Sequence, residues 1–132
     1  MNRNADLAQA VESAVGGQMV KKSLARVFQA IRIEVNGELE NLKSALRDTV
    51  EMLEPGGRAM IISYHSLEDR IVKHWIKEES KRFLRSPNKL IPDSPVEPRM
   101  KELTRKPLVP DDSELRMNPR SRSAKMRVAE RV

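Results

Sequence analysis

The chain has 132 residues, contains no cysteine, and carries a formal charge of +6 from 25 Lys and Arg against 19 Asp and Glu. This length fits one modest domain, and without cysteine neither a disulfide framework nor a thiolate metal site can form. Its apolar runs fall short of the ~20 residues that cross a bilayer, and the opening residues MNRNADLAQA lack a signal-peptide core. The sequence therefore predicts a soluble, cytoplasmic protein with no membrane partner.

Charge is distributed unevenly along the chain. Residues 1–80 hold 11 Lys and Arg against 12 Asp and Glu, a net of −1, whereas residues 81–132 hold 14 against 7, a net of +7. A basic half beside a neutral half is typical of proteins that bind a polyanion such as RNA or DNA. A solvated surface that is rich in Lys and Arg explains the same numbers equally well.

Apolar residues at helical spacing predict that the first part of the chain is helical. Residues 5–14 show the spacing of a short helix, which Gly16 and Gly17 end. Over residues 23–54 apolar residues recur in steps of three or four, which predicts one long helix. Asn36 and Gly37 interrupt the pattern and kink or divide that helix.

A short apolar run, RAMIIS at residues 58–63, follows a glycine pair and is too short for a helix. It does not alternate, which is typical of a strand covered on both faces, as in a parallel sheet. A helix is predicted over 66–84, with Ser66 as its N-cap and Asp69 near the capping-box position. The order helix, strand, helix indicates the doubly wound α/β class.

Seven of the eight prolines lie between residues 87 and 119. They predict a loop over 85–102 and an edge strand over about 103–108. Ala124, Met126 and Val128 alternate, which predicts a half-buried strand over about 123–130 with these residues inward and its cations, Lys125 and Arg127, outward. Outward cations would contact phosphates, or they would protect a solvated edge strand from aggregation.

Polar residues follow the predicted strand, at the end where open α/β sheets bind their ligands. Ser63, His65 and Ser66 lie there, and His65 is a candidate donor or proton acceptor near neutral pH. The alternative is that Ser66 caps the helix and His65 packs beside it. The sequence contains no G-x-S-x-G, G-x-G-x-x-G or Walker motif, and two histidines without cysteine make no zinc site.

Three stretches together resemble one protein family in their order and spacing: RVFQAIRIEVNGEL (26–39), LEPGGRAMIISYHSLEDRIVK (53–73) and NPRSRSAKMRVAER (118–131). They are similar to the C-terminal part of the MraW family, the bacterial 16S rRNA cytosine-N4 methyltransferases. LTRKPLVP (103–110) is similar to a late strand of that family, and the resemblance extends over nearly the whole chain.

The resemblance implies the C-terminal part of a Rossmann-like methyltransferase fold of the α/β class. It assigns residues 1–22 to the end of a helical substrate-recognition insertion and residues 23–132 to the C-terminal half of the methyltransferase domain. In that domain, 58–63 is the fifth strand and 66–84 the helix after it. The strands predicted over 103–108 and 123–130 form a closing antiparallel pair.

The activity that the resemblance implies is methyl transfer from S-adenosylmethionine to the N4 amine of a cytidine in 16S rRNA of the small subunit. The family's glycine-rich cofactor loop has no match in these 132 residues, so no cofactor-binding residue is assigned. We therefore expect the chain alone neither to bind S-adenosylmethionine nor to be active. The alternative is a non-catalytic, basic RNA-binding or assembly module.

Positions that match the family's motifs are the candidate rRNA-binding residues, and His65 is in addition the candidate proton acceptor. The matched residues are Ser63, His65, Ser66, Arg26, Gln29, Arg32, Asn36, Asn118, Arg120, Arg122 and Lys125. Half of a doubly wound sheet leaves a strand edge uncovered, which predicts a homo-oligomer through that edge.

Overall fold

The computed structural model describes residues 3–87, 90 and 92–132. Two compact units divide the chain, residues 1–40 and residues 41–132. The predicted loop over 85–102 includes residues 88, 89 and 91, and the predicted insertion includes residues 1 and 2; these five lie outside the described residues. Within the described part of the chain, every helix is too short or too polar to cross a membrane.

Helices form the first unit. Its helix α1 spans Asn4–Val15, α2 spans Val20–Asn36, and α3 (Glu38–Met52) begins in this unit and ends in the second. The long helix predicted over 23–54 is thus two helices. They are divided at Gly37, whose backbone is left-handed at φ 59° and ψ 30°, a conformation that glycine adopts without a Cβ clash and that commonly ends a helix.

Strands and two further helices form the second unit. Its elements are β1 (Arg58–Ser63), α4 (Ser66–Glu79), β2 (Phe83–Leu84), β3 (Ser94–Pro95), β4 (Met100–Glu102), α5 (Asp112–Met117) and β5 (Lys125–Arg131). Strand β5 lies between β1 and β4 and pairs antiparallel with both, while β2 and β3 form a separate antiparallel pair. Strand β1 coincides with the strand predicted over 58–63.

The structure differs from the prediction at the end of one helix and contains one helix that was not predicted. Helix α4 ends at Glu79 instead of residue 84, because the chain turns at Ser80 and then pairs Phe83 with Pro95 in β2 and β3. Helix α5 was not predicted, although its N-cap is visible in the sequence. The Asp111 carboxylate accepts a hydrogen bond from the Glu114 backbone N–H at 2.8 Å, which is the usual capping interaction.

The edge strand predicted over 103–108 is wrong. Beside β5 the chain pairs instead through β4, and Leu108 makes only an isolated bridge to Met126. Between the two, the Thr104 hydroxyl oxygen accepts a hydrogen bond from the Val128 N–H at 2.9 Å. Pro107 has no N–H to donate to a ladder, so a continuous strand cannot form there.

The expectation that β1 is covered on both faces is also wrong. Ala59 and Ser63 are buried, whereas Met60 and Ile62 on the opposite face are 68% and 55% exposed. Helices α3 and α4 contribute to a core on the Ala59 face only, because antiparallel sheets can leave one face open. That core contains Leu46, Val50, Ala59, Val72, Trp75, Ile76, Met100 and Ala129.

Candidate functional site

The tip of β1 runs directly into a capping box at the start of α4. His65 is the N-cap, with an extended backbone at φ −138° and ψ 163°, and its Nδ1 accepts a hydrogen bond from the Glu68 N–H at 3.4 Å. Glu68 Oε2 in return accepts hydrogen bonds from the N–H groups of His65 at 3.2 Å and Tyr64 at 2.8 Å. This reciprocal arrangement satisfies helix-terminal amides that otherwise have no partner.

The structure therefore corrects two predictions about this turn. The N-cap is His65 instead of Ser66, and its partner is Glu68 instead of Asp69. Because Nδ1 acts as an acceptor, the neutral imidazole carries its proton on Nε2. That nitrogen lies 3.2 Å from Glu68 Oε1 without forming a hydrogen bond. In this arrangement His65 serves as a helix cap.

Replacing His65 separates its capping role from any chemical role. We expect His65→Ala to lower the free energy of unfolding by about 1 kcal/mol, the usual effect of removing an N-cap. We expect His65→Asn to unfold close to the wild type, because asparagine also caps helices well. Urea unfolding of the three proteins measures this, and equal destabilisation by both variants would contradict the capping assignment.

Behind the tip, α4 and β5 are joined by a nearly buried ion pair. Arg127 Nε donates to Asp69 Oδ1 at 2.7 Å and Nη2 donates to Oδ2 at 3.4 Å, while Lys125 Nζ lies 3.8 Å from Oδ2. The hydrogen bond from Arg127 is the main cause that holds the pKa of Asp69 below its ordinary value, and nearby cations add to it. Arg127 Nη1 and the Ser63 hydroxyl are buried without a partner among the described residues.

This pair overturns the predicted orientation of the last strand. Arg127 and Ala129 are buried, at 4% and 0% exposure, whereas Met126 and Val128 lie on the opposite, more open face. The reason is the pairing register, in which Arg127 stands opposite Ile61 and so shares its face toward the core. The prediction that Arg127 points outward is wrong, because a carboxylate on α4 neutralises it inside.

The basic tail before β5 forms a tight 3-10 turn over Pro119–Ser123. Ser121 is buried, and its hydroxyl donates to the Asn118 carbonyl oxygen at 2.8 Å. Arg120 and Arg122, on either side of Ser121, are exposed to solvent. Of the tail cations predicted to meet phosphates, these two are available, whereas Lys125 is half-buried beside Asp69.

Candidate residues on α2 belong to the first unit and are described within it. Arg32 Nε lies 2.9 Å from Glu38 Oε1, and Asn36 Nδ2 donates to the same carboxylate oxygen at 3.1 Å. These contacts bridge the division between α2 and α3, which gives both residues a structural role. Arg26 is exposed and Gln29 is half-buried on the same helix.

Sequence reasoning missed Tyr64 and Glu68 as members of this site and gave Asp69 and Arg127 other roles. Glu68 was visible, because it stands three residues after His65 at the position that a capping box requires. The pairing of Asp69 with Arg127 spans 58 residues of sequence, and no local pattern reveals it. No group of three or more His, Asp or Glu side chains that could hold a metal occurs in the described residues.

Fold and site together define the class of protein. The helices and the antiparallel sheet, in the order β1-β5-β4, are of the mixed α/β type, as in part of a Rossmann-like methyltransferase fold. Residues 1–132 match the model of the MraW methylase family, and the chain belongs to that family. The expected family and fold class are confirmed.

Curated relatives agree with this family. Two proteins named "Ribosomal RNA small subunit methyltransferase H" illustrate the similarity. The one from Parabacteroides distasonis is 44% identical over 96% of this chain and 41% of its own length, and the one from Chlorobium phaeobacteroides is 54% identical over 84% and 34%. The chain therefore spans about two fifths or less of these relatives.

Proposed function

We propose that this chain is the rRNA-facing part of an S-adenosylmethionine-dependent methyltransferase that acts on the N4 amine of a cytidine in 16S rRNA, in the cytoplasm. The observation that carries the proposal is the match of the whole chain to the MraW methylase family. Its relatives are named as methyltransferases of small-subunit ribosomal RNA, which supplies the substrate class. The basic second half of the chain supports an RNA partner.

We propose that the described residues do not hold the methyl donor by themselves. Nucleotide-like ligands usually meet a glycine-rich turn that follows a strand, whereas Gly56 and Gly57 precede β1 and β1 leads straight into the capping box. A Cβ on Gly57 would lie 2.9 Å from the Glu54 carbonyl oxygen, so this glycine is required by the turn itself. We therefore assign no donor-binding residue to this chain and expect no heat when S-adenosylmethionine is titrated into it.

For His65 we propose a positioning role in place of the proton-accepting one. Methylation of an amine releases a proton that some group must accept. The Nδ1 lone pair of His65 is held by the Glu68 amide, and it would have to leave the helix cap before it accepted that proton. By closing the turn, His65 fixes the backbone beside Tyr64, which is 57% exposed. We propose that Tyr64 and Ser66, which are exposed, present this tip to the substrate, while Ser63 is buried on the core side and supports it.

For the remaining candidate residues we propose two roles. The exposed guanidinium groups of Arg120 and Arg122 contact phosphates of the rRNA, with Asn118 holding the turn between them and α5. Residues 1–22 form the end of a substrate-recognition insertion, and Arg32 and Asn36 stabilise the helices that follow it. Arg26, which is exposed on α2, remains a candidate contact for the rRNA.

Removing the two exposed tail cations tests the RNA side of the proposal. We expect Arg120→Ala/Arg122→Ala to weaken binding of single-stranded 16S rRNA segments. We also expect the slope of log K against log salt to flatten by about 1 to 2, since each lost phosphate contact removes about 0.7. Filter binding at salt concentrations from about 50 to about 200 mM measures both effects.

A matched control removes two exposed cations elsewhere, Lys73→Ala/Lys77→Ala on α4. This variant should keep the wild-type slope. If both double variants flatten the slope equally, binding depends on general charge, and the tail has no special role. Binding that ignores salt altogether would contradict an RNA-binding function, because phosphate contacts release counterions.

We also propose that the isolated chain self-associates through β1. In the described part of the chain, β1 has a strand neighbour on one side only, and Met60 and Ile62 are exposed on its open face. Unpaired strand edges beside apolar residues promote pairing between chains. Light scattering at a protein concentration of about 10–100 μM, at which exposed strand edges associate, should show a dimer or a larger species. A monomer at that concentration would contradict this part of the proposal.

A further inference from the structure

An apolar groove opens between α3 and α4 in the second unit, apart from the tip of β1. Its volume is about 370 Å³, which is within the range of about 300–1,000 Å³ for ligand pockets. Its floor is formed by Leu46, Ile71 and Trp75. The floor belongs to or packs against the hydrophobic core, so it is held rigidly. We refer to this feature as the α3–α4 groove.

Basic side chains border the α3–α4 groove on both sides. Lys43 and Arg47 are spaced i, i+4 on α3, while Arg70, His74 and Glu78 continue the same spacing on α4. Three cations, Lys43, Arg47 and Arg70, stand against the one carboxylate of Glu78, so the rim is basic. Arg47 and Arg70 are exposed, so their charge is available to a bound partner.

The lining favours a protein segment over RNA. Single-stranded nucleic acids bind by stacking their bases on exposed aromatic faces, but Trp75 is only 9% exposed. An apolar floor with charged rims is instead the surface into which an amphipathic helix lays its apolar face. The row from Arg70 to Glu78 covers nine residues, and its ends lie about 12 Å apart along the helix axis, which corresponds to roughly two turns of a bound helix.

From these features we propose that the α3–α4 groove is a docking site for an acidic amphipathic helix of a partner protein. Apolar side chains spaced i, i+3 or i+4, and i+7 on the partner contact Leu46, Ile71 and Trp75. Carboxylates beside them pair with Arg47 and Arg70, since complementary charge selects partners and fixes their register. This surface adds a protein partner to the rRNA partner proposed above and does not depend on it.

The single tryptophan of the chain lies in the floor and reports occupancy directly. The probe is a synthetic 15-residue helix, about four turns long, with leucines at i, i+3 and i+7 flanked by glutamates. We expect it to shift the emission of Trp75 and to bind the full chain measurably by fluorescence anisotropy. Arg47→Glu/Arg70→Glu should weaken binding at least about tenfold, as expected when like charges oppose each other at an interface.

Two controls keep the test decisive. Arg105→Glu/Arg116→Glu reverses two exposed cations outside the groove and should leave binding unchanged, and the unfolding midpoint of each variant shows that it is folded. A probe with lysines in place of the glutamates should not bind. The proposal is overturned if the lysine probe binds equally, if Trp75 does not respond, or if a single-stranded RNA displaces the acidic probe from the groove.

Discussion

Asp69→Ala should lower the free energy of unfolding by about 3–5 kcal/mol, the usual effect of removing one partner of a buried ion pair. The variant leaves the Arg127 guanidinium, whose side chain is 5% exposed, without the carboxylate that neutralises it. The nearby cation Lys125 then adds repulsion. Urea unfolding followed by circular dichroism measures the loss.

A double variant shows whether the loss arises from the unpaired charge. Asp69→Leu/Arg127→Met replaces both partners with apolar side chains and should recover most of the stability, because buried ion pairs often gain little over well-packed apolar groups. A loss below about 1 kcal/mol for Asp69→Ala, typical of an exposed ion pair, would mean that Arg127 is not buried against α4.

Ile61→Asp should unfold the second unit, while its neighbour Ile62→Asp should not. Ile61 packs against the hydrophobic core, and Ile62 is 55% exposed on the open face. A carboxylate placed in an apolar core costs several kcal/mol, which is comparable with the total stability of about 5–15 kcal/mol for a domain. Thermal unfolding should therefore show a cooperative transition for Ile62→Asp and none for Ile61→Asp.

The two isoleucines form a matched pair, since they are adjacent in sequence and in the same strand. If both substitutions unfold the chain, the strand is covered on both faces, as its composition alone suggests. If neither does, the strand is not part of the core. Only the split between them agrees with the alternation of buried and exposed residues along β1.

Elements that depend on a short local pattern of residues were predicted correctly. The run RAMIIS lies between a glycine turn and a polar tip, and the strand occurs there. Gly37 interrupts a helical pattern at the point where a left-handed residue divides α2 from α3. In each case the cause, a short apolar run or a missing Cβ, lies within the segment itself.

Features that depend on distant partners were predicted less well. Alternation alone predicts that Met126 and Val128 face inward on β5, yet the pairing with β1 and the carboxylate of Asp69 turn Arg127 inward. A one-residue change of phase exchanges every side chain between the two faces. Contacts in three dimensions determine which residues of β5 face the core. Neither the sequence of β5 nor that of α4 predicts this by itself.

The same contrast applies to function: the family was predictable from the sequence, whereas the role of His65 was not. The motif at 53–73 indicated the family, and the match of residues 1–132 confirms it. The assignment of His65 as a proton acceptor rested on residue type, whereas its hydrogen bonds describe a cap. A histidine can donate or accept a proton at either ring nitrogen, but the hydrogen-bond partner of each nitrogen determines which of these roles is open to it.

A hybrid enzyme tests the proposed function most directly. This chain would replace the matching segment of one of the curated relatives, and the hybrid would be incubated with S-adenosylmethionine and unmodified small ribosomal subunits. Nucleosides from the rRNA would then be identified by mass spectrometry. We predict that N4-methylcytidine appears with the hybrid and not with this chain alone. A folded hybrid that binds the methyl donor but leaves the cytidines of the small-subunit rRNA unmodified would contradict the proposal.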